Sequence, residues 1–399
     1  MLRVAVSGYY GFNNTGDEAI LLALVSTLRT LAPGIEITVF SHRPRETRRL
    51  YGVKAVNRWN PLSICWALFR SDLLLSGGGG LLQDVTGVRS ICYYLGIVLL
   101  ARLLGKPVIY YAQGVGPIRT RFGRWLTRVV SNRVELITVR DQASREDFLS
   151  MGVTRPPIVV TADPALALSP GQVDPEPGEA LLADLRAGSE GKGQEKGQNP
   201  APPEEKGRRR RLGIALRDWQ DCCRYKREVA AAADRLVREG WEVVLIPFHF
   251  PVDLQVCQEV CWLMQEPALL VRSKLSVETL FSLLSRLDLV LAMRLHALIM
   301  ASVMRTPCVG ISYDPKVERF LELTGQPLAG RVADLDAEKI YLAVNDAWER
   351  CQEITTRLDQ VLVNLRQQAW ESASLALSVF YSRFPHRRWE VGRATRRGA

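Results

Sequence analysis

The sequence predicts an α/β protein with two Rossmann-like domains built on parallel sheets, and three observations support this prediction. Short apolar, β-rich runs alternate with longer amphipathic runs along most of the chain. The alternation is interrupted once, between residues 169 and 211, by a polar segment rich in Gly, Pro, Glu and Lys. A chain of 399 residues with 47% hydrophobic content is also longer than one core usually supports. We therefore expect two domains that face each other across a cleft.

The apolar runs are the predicted strands. Before the polar segment they are LRVAVSG, IEITVFS, DLLLSGGGG, PVIYYAQG, ELITVRD and PIVVTADP. After it they are RLGIALRD, WEVVLIPFH, ALLVRS, LDLVLAMR and PCVGISYDP. Strands that are apolar on both faces are typical of parallel sheets covered by helices on each side.

The same patterns predict the domain boundaries. They give a first domain (1–168), a flexible charged linker (169–211), a second domain with terminal helices (212–384) and a basic tail (385–399). The linker has too few apolar residues to offset its ordering entropy, although GEALLADLRA suits one short helix. The stretch from Glu338 to about Phe384 has a helical pattern throughout.

Composition excludes several classes of protein. No apolar run reaches the length of a membrane-spanning helix, and the N-terminal residues lack the pattern of a signal peptide. We therefore expect a cytoplasmic protein. The eight cysteines form no CxxC pair, so we expect reduced, mostly buried thiols and no metal site.

The net charge of +10 is concentrated in two places. The last seventeen residues hold six arginines and one glutamate, and a second cluster, GRRRR, ends at Arg211. Such segments are most often solvated tails or linkers. If the tail binds anything, its arginines and Trp389 suit an anionic membrane surface better than nucleic acid. Peripheral contact with the inner face of the membrane is therefore the preferred expectation, with no nucleic-acid partner.

Basic residues follow four predicted strands of the second half, where open α/β sheets bind ligands. They are Arg217 after RLGIAL, His249 after WEVVLIPF, Arg294 and His296 after LDLVLAM, and Lys316 after PCVGISYDP. Residues two apart share a face in extended chain, so Arg294 and His296 are expected to project together. An isolated histidine is more often a core or capping residue, but four basic strand ends favour a site for a small polyanion with a histidine acid/base.

In the first half, GYYGFNNTGDEAI follows the first strand and suits a ligand-binding turn. Asn14 and Gly16 belong to this turn, and Asp17 to the first turn of the next helix. Two interpretations of Asp17 stay open. It could bind or deprotonate an acceptor hydroxyl, or it could only offset the helix dipole.

Two further strand ends complete the predicted rim. Gly77, Gly78 and Gly79 offer unobstructed backbone N–H groups for an anionic or polar ligand, but they match neither GxxxxGK[ST] nor GxGxxG. Gln113, in QGVGP, extends this rim. Arg140 also ends a strand, and a ligand contact is favoured over a pair with the next aspartate.

The chain resembles the polysaccharide pyruvyl transferase family in six stretches that run from about residue 5 to 325, without the linker. They are GYYGFNNTGDEAI, LLLSGGGGLLQD, YYAQGVGP, TVRDQAS, AMRLHAL and GISYDPKV. The resemblance implies a GT-B-like fold and transfer of pyruvate from phosphoenolpyruvate to two hydroxyls of one sugar, giving a cyclic ketal. The co-substrate that the resemblance implies is phosphoenolpyruvate, with no other cofactor.

The resemblance also implies roles for residues. Arg294, Lys316 and Arg140 would hold the carboxylate and phosphate of phosphoenolpyruvate, and His296 would transfer protons. The second domain would bind phosphoenolpyruvate, and the first would bind the acceptor. The resemblance also implies a cell-wall N-acetylmannosamine unit on a diphosphate-linked lipid as the acceptor, which suits a membrane-seeking tail.

Two other functions stay open from the sequence. A GT-B glycosyltransferase or sugar-nucleotide epimerase would need a ribose-binding carboxylate in the second half, for which Glu278 and Asp288 are candidates. A non-catalytic membrane- or anion-binding module would act through the basic ends of the chain.

Overall fold

Two compact units make up the chain, and each is built on one parallel sheet. The computed structural model describes residues 1–84, 87–190, 209–219 and 223–384. The first unit contains Met1–Leu168 and the chain from Asn364 onward, and the second contains Ser169–Val363. Every strand pairing in both sheets is parallel, which confirms the predicted fold class.

The first unit has a seven-stranded sheet. Its strands are β1 (Arg3–Tyr10), β2 (Glu36–Ser41), β3 (Lys54–Asn57), β4 (Leu73–Leu82), β5 (Val108–Val115), β6 (Leu136–Val139) and β7 (Ile158–Val160). Its helices are α1 (Thr15–Leu31), α2 (Pro44–Tyr51), α3 (Pro61–Arg70), α4 (Val88–Leu103), α5 (Arg121–Ser131) and α6 (Gln142–Ser150). The strand order is β3-β2-β1-β4-β5-β6-β7. One apolar core lies on the α3–α6 side of this sheet, and a second lies on the α1 side.

The second unit has a six-stranded sheet. Its strands are β8 (Arg210–Ala215), β9 (Trp241–Leu245), β10 (Leu269–Leu270), β11 (Leu289–Ala292), β12 (Cys308–Ser312) and β13 (Leu328–Arg331). Its helices are α7 (Glu176–Glu190), α8 (Cys223–Arg238), α9 (Val252–Leu263), α10 (Val277–Leu284), α11 (Leu295–Val303), α12 (Pro315–Thr324) and α13 (Ala337–Glu349). The last helix, α14 (Cys351–Arg383), extends from this unit into the first. The strand order is β10-β9-β8-β11-β12-β13.

All eleven predicted strands are present, and two further strands were not predicted. These are β3 and β13, each four residues long and each at an edge of its sheet. Both are largely exposed or half-buried, so their sequences, KAVN and LAGR, lack the apolar run that identifies a central strand. The sequence therefore predicted the strands that carry an apolar run.

The structure divides the chain differently from the predicted boundaries. Within the expected linker, α7 is an integral part of the second unit. Its Gly178 amide donates to Ser282 Oγ on α10 at 2.7 Å, and Arg186 makes two hydrogen bonds to Glu242 on β9 at 2.6 Å. Arg211, at the end of the expected linker, lies buried in β8 and pairs with Glu179 at 2.7 Å. The basic tail 385–399 and residues 191–208 lie outside the described residues.

The end of α14 belongs to the first unit instead of the second. Ala373, Ala376 and Phe380 form an apolar stripe that is buried in the core on the α1 side of the first sheet. Beside this stripe, Ser372 Oγ lies 2.8 Å from Thr161 Oγ1. The helical prediction for the C-terminal stretch is accurate apart from one interruption at Arg350, between α13 and α14.

Cysteines are less buried than the sequence predicted. All seven described cysteines are free, but only Cys257 and Cys308 are buried, and Cys92 and Cys223 are exposed.

Gly178→Ala is expected to destabilise the second unit. A Cβ at this position would lie 2.5 Å from the backbone carbonyl of Ser282, so α7 would have to move away from α10. Overpacking of this kind costs about 1–3 kcal/mol in the free energy of unfolding, which urea denaturation measures. The control is Gly188→Ala in the same helix, where a Cβ meets nothing within 4 Å. That variant should gain about 0.5–1 kcal/mol because alanine favours the helix, and equal effects at both positions would contradict the packing argument.

Candidate functional site

Predicted basic residues follow four strands that stand side by side in the second sheet. The strands β9, β8, β11 and β12 are consecutive neighbours and parallel, so their carboxyl ends share one edge. The strand order changes direction between β8 and β11, and ligands of open α/β sheets bind at such a point. Arg217 follows β8 and Arg294 follows β11, so these two residues flank it.

Tyr313, which the sequence analysis did not single out, lies among the predicted cations. The Arg217 guanidinium carbon is 4.7 Å from the centre of the Tyr313 ring, and Lys316 Nζ is 5.5 Å from it. The Trp219 ring packs against Tyr313 with centroids 4.9 Å apart. Burial raises the pKa of Tyr313, but the charges of Lys316, Arg217 and Arg294 lower it, and the pKa is below its ordinary value as a result. Three predicted cations therefore act on one phenol.

The Tyr313 phenol is expected to ionise at lower pH in the folded protein than in the unfolded chain. Its lowered pKa means that ionisation adds stability at pH above the unfolded pKa, and that this stability is lost as pH falls through the folded pKa. In an ultraviolet titration, tyrosinate absorbance should therefore appear at lower pH in the parent protein than in Tyr313→Phe. Burial raises the pKa of Tyr111 to about 12, so this residue provides the opposite control. The Tyr111→Phe variant should show the first increase in tyrosinate absorbance at the same pH as the parent protein.

A buried carboxylate that the sequence analysis missed holds Arg294 in place. Asp253 in α9 is fully buried, and its Oδ2 accepts a hydrogen bond from Arg294 Nε at 2.8 Å. Arg294 also donates a second bond to the other Asp253 oxygen, which makes the pair bidentate. The same Oδ2 accepts the His249 backbone N–H at 2.8 Å. One carboxylate thus joins the segment after β9 to the arginine after β11.

His296 lies in the first turn of α11 and is half-buried. The helix begins at Leu295, and Arg294 is its N-terminal cap residue with extended backbone. The two side chains therefore do not share a face through strand alternation, which corrects that part of the argument. His296 follows the switch point directly, and its catalytic role stays a prediction.

The turn after β1 is arranged around the start of α1. Asn14 caps the helix, because its side-chain oxygen accepts the Gly16 amide at 3.3 Å. Asp17 is buried, and a Cβ added at Gly79 would lie 3.0 Å from its Oδ1. The next residue, Glu18, is also buried and accepts the Gly11 amide at 2.7 Å. Capping thus explains Asn14 and Gly16, and Asp17 stays the candidate for acceptor chemistry.

The glycine run continues as part of β4 instead of forming a turn after it. A Cβ at Gly77 would lie 2.6 Å from the Tyr111 carbonyl oxygen, and one at Gly78 would collide with a side chain of α1. Gln113 is buried, and its amide nitrogen donates to two main-chain carbonyls at 3.0 and 2.7 Å, one of them that of Gly79. Close packing therefore accounts for these residues, and their ligand role stays a prediction.

Arg140 lies in the first unit and is held by two carboxylates. Its side chain is 8% exposed and lies 3.4 Å from both Asp141 and Asp163. This arrangement matches the alternative in which Arg140 fastens the strand to the following helix. The phosphoenolpyruvate contact that the resemblance implied for Arg140 stays a prediction.

The chain is similar in fold to solved structures of proteins in complex with UDP or with UDP-sugars. HepE of Anabaena, in complex with UDP-glucose, is 12% identical with a TM-score of 0.63, and covers 96% of this chain and 100% of its own. MnaA of S. aureus with UDP is 13% identical with a TM-score of 0.64, over 96% and 97% of the two chains. A UDP-GlcNAc 2-epimerase from Neisseria meningitidis is 13% identical with a TM-score of 0.59, over 95% and 100%. These similarities confirm a GT-B-like fold built from two parallel α/β domains.

Among curated proteins, none matches the chain. The model of one family, Polysaccharide pyruvyl transferase, matches residues 14–315. This range begins at Asn14, the cap of α1, and includes the glycine strand, Arg140 and the basic strand ends up to Arg294 and His296, whereas Lys316 lies one residue beyond it. It confirms the resemblance found in the sequence, and the chain belongs to the polysaccharide pyruvyl transferase family.

Proposed function

We propose that the chain transfers pyruvate from phosphoenolpyruvate to two hydroxyls of one sugar, forming a cyclic ketal. The observation that carries this proposal is the convergence of Arg217, Arg294 and Lys316 on Tyr313 at the edge of the second sheet. Phosphoenolpyruvate carries a carboxylate and a phosphate on three carbons, and a compact group of fixed cations suits such a ligand. Family membership supports pyruvyl transfer to a polysaccharide.

The proposed chemistry begins with protonation of the methylene carbon of phosphoenolpyruvate. This makes C2 electrophilic, and one sugar hydroxyl adds there and loses its proton. The bond between C2 and the phosphate oxygen then breaks, and a second hydroxyl adds to C2 and loses its proton to close the ring. The sugar loses two hydroxyl protons in total. One replaces the proton that the methylene carbon took up, and the other is carried away by the departing phosphate.

In this proposal, proton transfer and binding of the two anionic groups are carried out by different residues. His296 protonates the methylene carbon and then accepts a hydroxyl proton, although Asp17 is an alternative base for the acceptor. Arg217, Arg294 and Lys316 hold the two anionic groups and stabilise the departing phosphate. Interactions of this kind are worth about 3–4 kcal/mol each in a transition state. Family resemblance supports a lipid-linked N-acetylmannosamine unit as the acceptor.

The test is phosphate release from phosphoenolpyruvate with and without an N-acetylmannosamine-terminated lipid or polysaccharide acceptor. Release is expected only with the acceptor, and the product should gain the mass of a ketal-linked pyruvate. Direct binding can be followed at Tyr313, since an anion that neutralises its cations should move its titration to higher pH. Phosphate release that does not depend on the acceptor, or a Tyr313 titration that phosphoenolpyruvate leaves unchanged, would contradict the proposal.

Sugar-nucleotide chemistry is the alternative suggested by the fold. Of the two carboxylates that could hold a ribose, Asp288 accepts the Arg211 amide at 2.8 Å directly before β11, at the opposite edge of the sheet. Glu278 is exposed in the first turn of α10, so it stays a candidate for binding a ribose. Thermal shift with phosphoenolpyruvate against UDP-glucose separates the two functions, because only the true donor should stabilise the protein at low concentration.

A non-catalytic anion- or membrane-binding role is tested by deleting residues 385–399. A transferase should keep its activity on a soluble acceptor, whereas a module that acts through this tail should lose its only function.

A further inference from the structure

The outer side of α3 carries an exposed apolar stripe. Leu62, Trp66 and Phe69 are 82%, 60% and 62% exposed. Their spacing of four and three residues places them along one side of the helix, while Ile64 and Leu68 on the opposite side enter the core. A row of large exposed apolar side chains marks an interaction site.

The stripe continues onto the neighbouring helices. Lys106 Nζ donates to the Phe69 carbonyl at 2.8 Å, which brings the end of α4, with its exposed last residue Leu103, beside the end of α3. On α5, the exposed rings of Phe122 and Trp125 lie 5.9 Å apart. Because α4 packs against both α3 and α5, the outer sides of the three helices form one surface, which we call the α3–α5 surface.

Charge on these helices has one sign only. None of the three contains Asp or Glu, whereas α1, on the other side of the sheet, begins with Asp17 and Glu18. The arginines of the three helices are Arg70, Arg89, Arg102, Arg121, Arg124 and Arg128.

Two cations lie directly against the exposed rings. The Arg70 guanidinium carbon is 5.6 Å from the Trp66 ring, and Lys106 Nζ is 5.7 Å from the Phe69 ring. Aromatic rings with adjoining cations are the groups that interfacial proteins place at the level of lipid headgroups.

We propose that the α3–α5 surface docks on the headgroup region of an anionic lipid bilayer. The rings would enter the interface, and the arginines other than Arg102, which is paired with Glu135, would contact lipid phosphates. None of the described helices could span a bilayer. A bilayer suits this surface better than a second copy of the chain, because a second copy would bring the same positive charge to the contact. The proposal goes beyond pyruvyl transfer and does not depend on it.

The experiment is flotation of the full chain with vesicles of phosphatidylglycerol and phosphatidylcholine in equal parts, against phosphatidylcholine alone. The parent protein should bind the mixed vesicles, and added salt should weaken binding. The double variant Trp66→Ala/Phe69→Ala should bind about tenfold more weakly or worse. Trp262→Ala is the matched control, since this side chain is 83% exposed on α9 in the other unit, and it should bind as the parent does.

Charge and the tail are tested separately. Arg124→Glu/Arg128→Glu should lower binding to the mixed vesicles. Loss of binding on deletion of 385–399, with normal binding by Trp66→Ala/Phe69→Ala, would overturn the proposal and assign the contact to the tail. A second result would also overturn the proposal: the parent protein does not bind the vesicles and is a dimer, and the Trp66→Ala/Phe69→Ala variant is a monomer. That result would show that a second copy of the chain covers the surface.

Discussion

His296→Ala should lower turnover by about a thousandfold while leaving phosphoenolpyruvate binding nearly unchanged. The proposal gives this imidazole the protonation of the methylene carbon, which is a step of the chemistry and not of binding. Steady-state phosphate release measures turnover, and the phosphoenolpyruvate-dependent change in the Tyr313 titration measures binding. A fall in kcat with a constant KM would therefore identify a proton-transfer residue.

Arg217→Gln is the matched comparison for that variant. It removes a cation that lies against Tyr313 and keeps the histidine. It should therefore raise the KM for phosphoenolpyruvate and also lower kcat, because this cation both holds the substrate and stabilises the departing phosphate. Its Tyr313 titration should also begin at higher pH, because a charge that lowers this pKa is gone. Near-normal turnover in His296→Ala would remove the catalytic assignment.

Asp253→Ala should be among the most destabilising single substitutions in the second unit. Asp253 is fully buried and the Arg294 side chain is 14% exposed, so the substitution leaves an uncompensated charge in a poorly hydrated place. Breaking such a pair costs about 3–5 kcal/mol in the free energy of unfolding. Urea denaturation measures this loss, and phosphoenolpyruvate affinity should fall as well because Arg294 loses its anchor.

Glu338→Gln provides the surface comparison. It removes one partner of the exposed pair with Arg235, whose atoms lie 2.7 Å apart, and it should leave the unfolding midpoint unchanged. Asp253→Asn should be intermediate, because an amide oxygen can still accept the His249 N–H but no longer balances the arginine. A stable Asp253→Ala protein with normal affinity would contradict the anchoring role.

The sequence predicted the positions of the central strands because burial on both faces requires continuous apolar runs. It failed at β3 and β13, whose exposure relaxes that requirement. It predicted only one short helix within a flexible linker where α7 lies, since the helix has many polar residues. This helix is held by the buried Gly178 contact and by the ion pairs Arg186–Glu242 and Glu179–Arg211. Such contacts join residues far apart in the chain, so no local pattern indicates them.

In the candidate site, too, some residues could be predicted from local sequence patterns and others could not. Basic residues at strand ends could be found from the sequence, because the end of each apolar run marks the edge where ligands bind. Tyr313 and Asp253 could not be found in this way. A tyrosine after a strand and an aspartate in a first helical turn are both common, and only the neighbours that surround them distinguish these two.

The sequence by itself determined the fold class, the family and the set of cations that follow the strands of the second sheet. The tertiary structure decided which of those cations act together, and it did so through the strand order. The order β9-β8-β11-β12 brings four separate segments to one edge, where the charges of Lys316, Arg217 and Arg294 add at Tyr313. Electrostatic interaction depends on distance in space, which a one-dimensional pattern does not contain.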